Sequence, residues 1–277
     1  MDPATLIGLL LAFGSIGTMV VLEGSSISSL LLPAPMILVF GCTIAVGIAS
    51  GTIPDMLRAA KALPSAFKGK LAQPEGLIAQ VVSIAEKARK DGLLALEGEA
   101  QSIDDPFLKA ALQNIADGMD AEELRGLLEE QVATEERKQR GAGKFFNTLG
   151  GYAPTIGIIG TVISLTHVLE HLSNPATLGP SIAGAFVATL WGVLSANVIW
   201  LPLGARLVRL ADLNIERMHL LLEGVLAVQE GSQPRVVGER LRAMIMVSDK
   251  PAKASKEKAP KEKSEKSAKS KPLKEAA

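Results

Sequence analysis

Three sets of residues in this sequence have the types and spacing for chemistry. His167, Glu170 and His171 match H-x-x-E-H, an inverted zinc-hydrolase signature that would put both histidines on one face of a helix. Thr161 and Thr189 are hydroxyls within long uncharged stretches. There they can line an ion path completed by a partner helix, or simply hydrogen-bond across a helix seam. Pro154 and Pro202 each remove a backbone N–H from such a stretch, giving either a hinge or a tolerated kink. Zinc hydrolysis is the weakest of these readings. No third ligand is evident from the sequence, and the only other histidine, His219, is expected on the far side of the membrane. No G-x-x-x-x-G-K-[ST] or G-x-S-x-G segment occurs, and a lone Cys42 excludes an intrachain disulfide or a cysteine zinc site. The chain reads as a non-enzyme with no cofactor and no metal.

The elements that position these residues follow from how the apolar residues are distributed. Of 277 residues, 48% are hydrophobic but only 4% aromatic, and 29 Lys and Arg balance 29 Asp and Glu. The even balance gives no argument for nucleic acid as a partner. The charges are segregated. Four uncharged runs predict transmembrane helices at about residues 4–22, 30–53, 151–170 and 181–203, each long enough for a hydrocarbon core of about 30 Å. The start, Met1-Asp2-Pro3, lacks the basic region of a signal peptide, so span one is expected to be retained. The segments 23–29 and 171–180 contain no Lys or Arg, whereas 55–144 contains thirteen. The positive-inside rule then puts both termini and both long segments in the cytoplasm.

The chain thus divides into 1–54 (spans one and two), 55–144 (a cytoplasmic helical domain), 145–205 (spans three and four), 206–249 (cytoplasmic amphipathic helices) and 250–277 (a lysine-rich tail expected to be disordered). In the cytoplasmic domain Leu77, Val81, Ile84, Ala85 and Ala88 recur at helical spacing, and Asp91-Gly92 ends or bends that helix. Asp120 and Glu123 resemble a capping box before an apolar stripe of Leu124, Leu127, Leu128 and Val132. That helix is expected to run on towards the third span. Arg89 reads as a cation at a helix C-terminus and Glu97 as a solvated charge. Apart from Glu170 at the outer edge of span three, no Asp, Glu, Lys or Arg lies within the spans, so a conducted cation would need an acid from a partner. Spans three and four carry small-residue stripes: Ala153, Gly157, Gly160, Thr161, Ser164 and Val168 in one, and Ser181, Ala185, Ala188, Thr189, Gly192 and Ser195 in the other.

The stretches GGYAPTIGIIGT, LSNPATLGPSIAGAFVATLWGVL and EGVLAVQEGSQPRVVGERL resemble the MotA family of flagellar motor stator subunits, as do the N-terminal MDPATLIGLLLAFG and RKDGLLALEGEAQSIDDPFLKAAL. The likeness covers about residues 1–245. The wider superfamily includes ExbB and TolQ, energisers of envelope proteins, which have three spans. The resemblance implies an all-α integral membrane protein with four transmembrane helices arranged two plus two. A helical cytoplasmic insert would lie between spans two and three, and a cytoplasmic helix would follow span four. It implies an inner-membrane ring of five copies around a dimer of a single-span partner of the MotB kind, whose membrane aspartate binds the translocated H+ or Na+. On the same basis Thr161 and Thr189 belong to the ion pathway, with Thr189 facing the partner aspartate. Pro154 and Pro202 match functional prolines, and Arg89 and Glu97 match charges that contact the rotor protein FliG. Sodium-type relatives carry Thr where Thr161 stands and many proton-type ones carry Ala, a lean towards sodium.

Overall fold

The computed structural model describes residues 4–68, 74–171, 173 and 175–245. Every regular element among them is helical, and no strand occurs. The helices are α1 (Ala4–Leu22), α2 (Pro33–Ala49), α3 (Ile53–Lys68), α4 (Pro74–Asp91), α5 (Leu96–Gln101), α6 (Pro106–Ala116), α7 (Ala121–Glu170), α8 (Pro175–Leu194), α9 (Leu201–Gln229) and α10 (Pro234–Met244). A π-helical segment, Ser195–Trp200, joins α8 to α9. The lysine-rich tail of the sequence reading lies outside the described residues.

Local chemistry sets the helix boundaries. Pro33 and Pro106 start α2 and α6 at positions where the missing N–H costs nothing. Asp105 caps α6 by accepting hydrogen bonds from the N–H groups of Phe107 and Leu108, both 3.0 Å. Asp120 caps α7 through the Glu122 N–H at 3.0 Å. Thr52 and Asp55 exchange hydrogen bonds across the first turn of α3, Thr52 N–H to Asp55 Oδ2 at 3.2 Å and Asp55 N–H to Thr52 Oγ1 at 3.3 Å. Gly92 ends α4 with φ +84°, a left-handed backbone that other residues adopt only under strain.

Two apolar clusters organise the bundle. The larger is built from α4, α5, α6, the N-terminal turns of α7, the C-terminal half of α9, and α10. Leu124, Leu128 and Val132 enter it, and Leu127 does not: it is 38% exposed, one helical face away from that four-residue repeat. Ile78, absent from the sequence stripe, is fully inside. Ion pairs tie its elements together. Glu223 of α9 accepts from Arg125 of α7 at 3.1 Å and from Arg240 of α10 at 2.6 Å, and Arg217 of α9 pairs with the capping Asp105. A smaller cluster joins Ala59 and Ala66 of α3 to Ala142, Phe146 and Leu149 of α7 and Leu203 and Leu207 of α9.

Among the described residues, three helical stretches are long and apolar enough to cross a membrane: within α1, within α7, and along Leu178–Gln229. The apolar α2 is shorter, at 17 residues. Spans three and four of the sequence reading are therefore segments of longer rods. α7 runs unbroken for 50 residues, from its Asp120 cap to Glu170. The fourth apolar stretch enters its helix at Pro175, earlier than the expected residue 181, and continues through the π segment into α9.

Candidate functional site

α7 and α8 meet along the small residues the sequence marks. Gly157 and Gly192 form the tightest point. A Cβ on Gly192 would stand 2.8 Å from the Ala153 carbonyl oxygen and 2.9 Å from Gly157 Cα. One on Gly157 would stand 2.9 Å from the Ala188 carbonyl oxygen. Backbone therefore touches backbone, which only glycine permits. A second close approach lies further along α7, where a Cβ on Gly143 would stand 3.0 Å from the Gly204 carbonyl oxygen.

One helical turn beyond the first approach, Thr161 and Thr189 hydrogen-bond hydroxyl to hydroxyl. Thr161 Oγ1 also lies 3.0 Å from the Ala185 carbonyl oxygen, across the seam, and 3.2 Å from that of Gly157 in its own helix. Both threonines are half-buried. Two hydroxyls and two carbonyls thus converge in an otherwise apolar seam, an all-oxygen cluster of the kind a hard cation or a proton-carrying group can exchange hydrogen bonds with. No carboxylate among the described residues approaches it.

The prolines frame this seam at its other end. Pro154 lies inside α7, half-buried, with the helix continuous through it. Pro202 lies at the second position of α9, directly after the π segment. There the Leu201 N–H bonds back five residues to the Ala196 carbonyl. The wider turn accommodates the break in the ladder before Pro202. Sequence reasoning placed a weak point at Pro202 and missed the π segment; the proline within a tryptophan-flanked apolar run was its only signal.

Arg89 and Glu97 sit elsewhere, in the domain of the larger cluster. Arg89 is on the last turn of α4 and Glu97 on the first turn of α5, with the Gly92 turn between them. Both are exposed, and neither pairs with a described residue. The neighbouring charges Lys87 and Glu99 do pair with each other. The C-terminal end of α7 carries His167 and Glu170, and His171 caps it; all three are exposed.

The seam has a clamp that the sequence reading did not anticipate. Trp191 of α8 donates its indole N–H to the Leu30 carbonyl at 2.7 Å, which ties α8 to the connection between α1 and α2. Phe40 of α2 lies against both tryptophans, its ring centroid 5.7 Å from that of Trp191 and 6.3 Å from that of Trp200.

Comparison with known proteins gives a consistent answer. Residues 99–219 match the MotA/TolQ/ExbB proton channel family. Motility protein A of Bacillus subtilis (strain 168) is 38% identical over 252 residues, 90% of this chain and 93% of that protein. A solved structure of C. jejuni MotAB superposes with a TM-score of 0.85 at 29% identity, over 90% of this chain and 98% of that one. The flagellar MotAB stator complex from Bacillus subtilis superposes with a TM-score of 0.80 at 35% identity, over 87% of this chain and 94% of that one.

Proposed function

The chain belongs to the MotA/TolQ/ExbB proton channel family, and from that premise we propose how this subunit works in detail. It is a flagellar motor stator subunit that acts with a MotB partner in an oligomeric, cation-conducting complex of the inner membrane. The relatives that match nearly the whole chain are motility proteins, so an energiser of the ExbB and TolQ kind is not favoured.

In the proposed arrangement α1, α2, the outer part of α7 and α8 with the π segment form four spans. Both termini and the unit around the larger cluster are cytoplasmic, following the distribution of Lys and Arg. α2 is about 25 Å long at the standard helical rise, close to the hydrocarbon thickness, and slight thinning of the bilayer would accommodate it. Five copies surround a dimer of the partner, and each partner helix presents one membrane aspartate to the seam. The observation that carries this reading is the hydroxyl pair Thr161–Thr189, set in spans whose one acid, Glu170, stands at the very end of α7.

The mechanism follows from the cost of charge in lipid. An ionised aspartate at mid-bilayer costs about 2.5–3.5 kcal/mol on insertion scales. Binding of an incoming H+ or Na+ removes that cost and changes which seam the partner helix prefers, with Thr189 and Thr161 exchanging hydrogen bonds or ligand oxygens with the group. One charge crossing 100 mV supplies about 2.3 kcal/mol, the source of each step. Pro154 and Pro202 are the hinges, and Arg89 and Glu97 pass the displacement to FliG. Thr161 favours sodium as the coupling ion.

The chain reconstituted alone should pass neither H+ nor Na+. Co-reconstitution with its partner should open a flux that Asp→Asn in the partner's membrane helix abolishes. Brisk flux from the chain alone would overturn the borrowed-acid mechanism. Swimming speed with and without sodium, at fixed pH and osmolarity, decides the ion.

A further inference from the structure

The H-x-x-E-H segment of His167, Glu170 and His171 needs a third ligand, and none is evident in the sequence. The folded chain supplies it within the motif. One ligand atom from each of the three residues lies within 4.8 Å of the other two, at the outer end of α7. His167 and Glu170 stand one turn apart on α7, and the His171 ring at its C-cap comes back beside them, the imidazole centroids 4.3 Å apart. His171 Nδ1 lies 3.0 Å from the His167 carbonyl oxygen. With Nδ1–H donating there, the lone pair is left on Nε2, and the ring is held as metal-ligating histidines are held by a backbone carbonyl. Two imidazoles and one carboxylate suit a borderline-soft divalent ion, and exposure leaves a fourth position for water. His167 and Glu170 lie in the last turn of α7 and His171 is its C-cap, so the end of the helix sets the spacing of the ligands.

We infer that His167, Glu170 and His171 form a binding site for a zinc-type divalent cation at the outer end of α7, with a regulatory role. A hydrolytic one is not implied. His171 follows Ser164 by seven residues and so continues the stripe of Thr161, Ser164 and Val168. It stands about 15 Å along the helix from Thr161. Given the orientation proposed above, on which this second step rests, a bound dication sits over the entrance to the seam. It repels incoming cations and slows conduction.

The test uses the complex of the full chain with its partner in nanodiscs, titrated with zinc against a chelating indicator. One zinc per chain is expected. His167→Ala and His171→Ala should each weaken binding at least tenfold, Glu170→Gln a few-fold, and His219→Ala not at all. Cobalt should give, in the parent, a d–d band red-shifted and stronger than that of free aqueous Co2+, which the H167A/H171A double variant lacks. All three side chains are exposed, so these variants leave the core intact. Less than one zinc per chain, or unchanged affinity in the double variant, overturns the site. In proteoliposomes, zinc added outside should slow ion flux in the parent and spare the double variant. Equal slowing in both, or none in either, overturns the regulatory step. Flux without zinc, dependent on the partner aspartate, tests the stator reading separately.

Discussion

The close backbone contact between α7 and α8 depends on two hydrogen atoms standing where side chains would begin. At Gly192 and Gly157 an added methyl meets backbone, which cannot rotate away as a side chain can. Gly192→Ala should therefore cost about 1–3 kcal/mol, the range for overpacking, and force α7 and α8 apart at the level of the hydroxyl pair. Gly184→Ala, one face round on α8, finds open space within 4 Å and is the control. Thermal unfolding of the two variants in detergent should separate them by several degrees. Equal melting would mean the seam relaxes more readily than its geometry implies. Thr161 and Thr189 depend on this closeness, because two short side chains can join hands only where the helix backbones nearly touch.

At the scale of elements, the π segment holds one residue more than a regular helix would place between α8 and α9. Taking that residue out should restore an ordinary helix and leave both flanks in phase. Deletion of the exposed Asn197 should be tolerated for assembly, whereas deletion of the exposed Glu216 turns everything after it by about 100° and should abolish it. Membrane yield of the oligomer is the readout. α3 offers a pH-dependent element. The Thr52 hydroxyl, then its N–H and Arg58, hold the Asp55 carboxyl below the usual carboxylate range. A lowered folded pKa stabilises fully above the unfolded value of about 3.9 and is lost as pH falls through the lower folded value. The N-terminus of α3 should thus stay ordered from neutral pH down to about 5, then loosen in stronger acid. Amide exchange at Met56 against pH measures this, and Thr52→Ala should remove the step.

For the molecule as a whole, the separation of the Thr161–Thr189 seam from the unit around the larger cluster makes the two proposed functions separable by mutation. Charge reversal at Arg89 or Glu97, both exposed and unpaired among the described residues, should lower torque at least several-fold and leave ion flux and assembly unchanged. Normal motility in the double reversal would remove these residues from the rotor contact. Much of this architecture was legible beforehand. Uncharged runs, the Asp120 cap, the Gly92 turn and the small-residue stripes each have a local cause, so each could be read locally. What escaped the sequence depends on three dimensions. Leu127 looks like a core leucine until its neighbours show that the core follows only every fourth residue. The clamp from Trp191 to Leu30 joins positions 161 residues apart. The π segment arises from one surplus residue, which no periodicity of apolar residues reveals.

The unbroken length of α7 has a mechanical consequence. Fifty residues make a rod of about 75 Å. If it pivots at Pro154, Thr161 lies about 10 Å from the fulcrum on one side and Ala121 about 50 Å on the other. A shift of one ångström beside the ion then becomes a stroke of about five at the far end, at one fifth of the force.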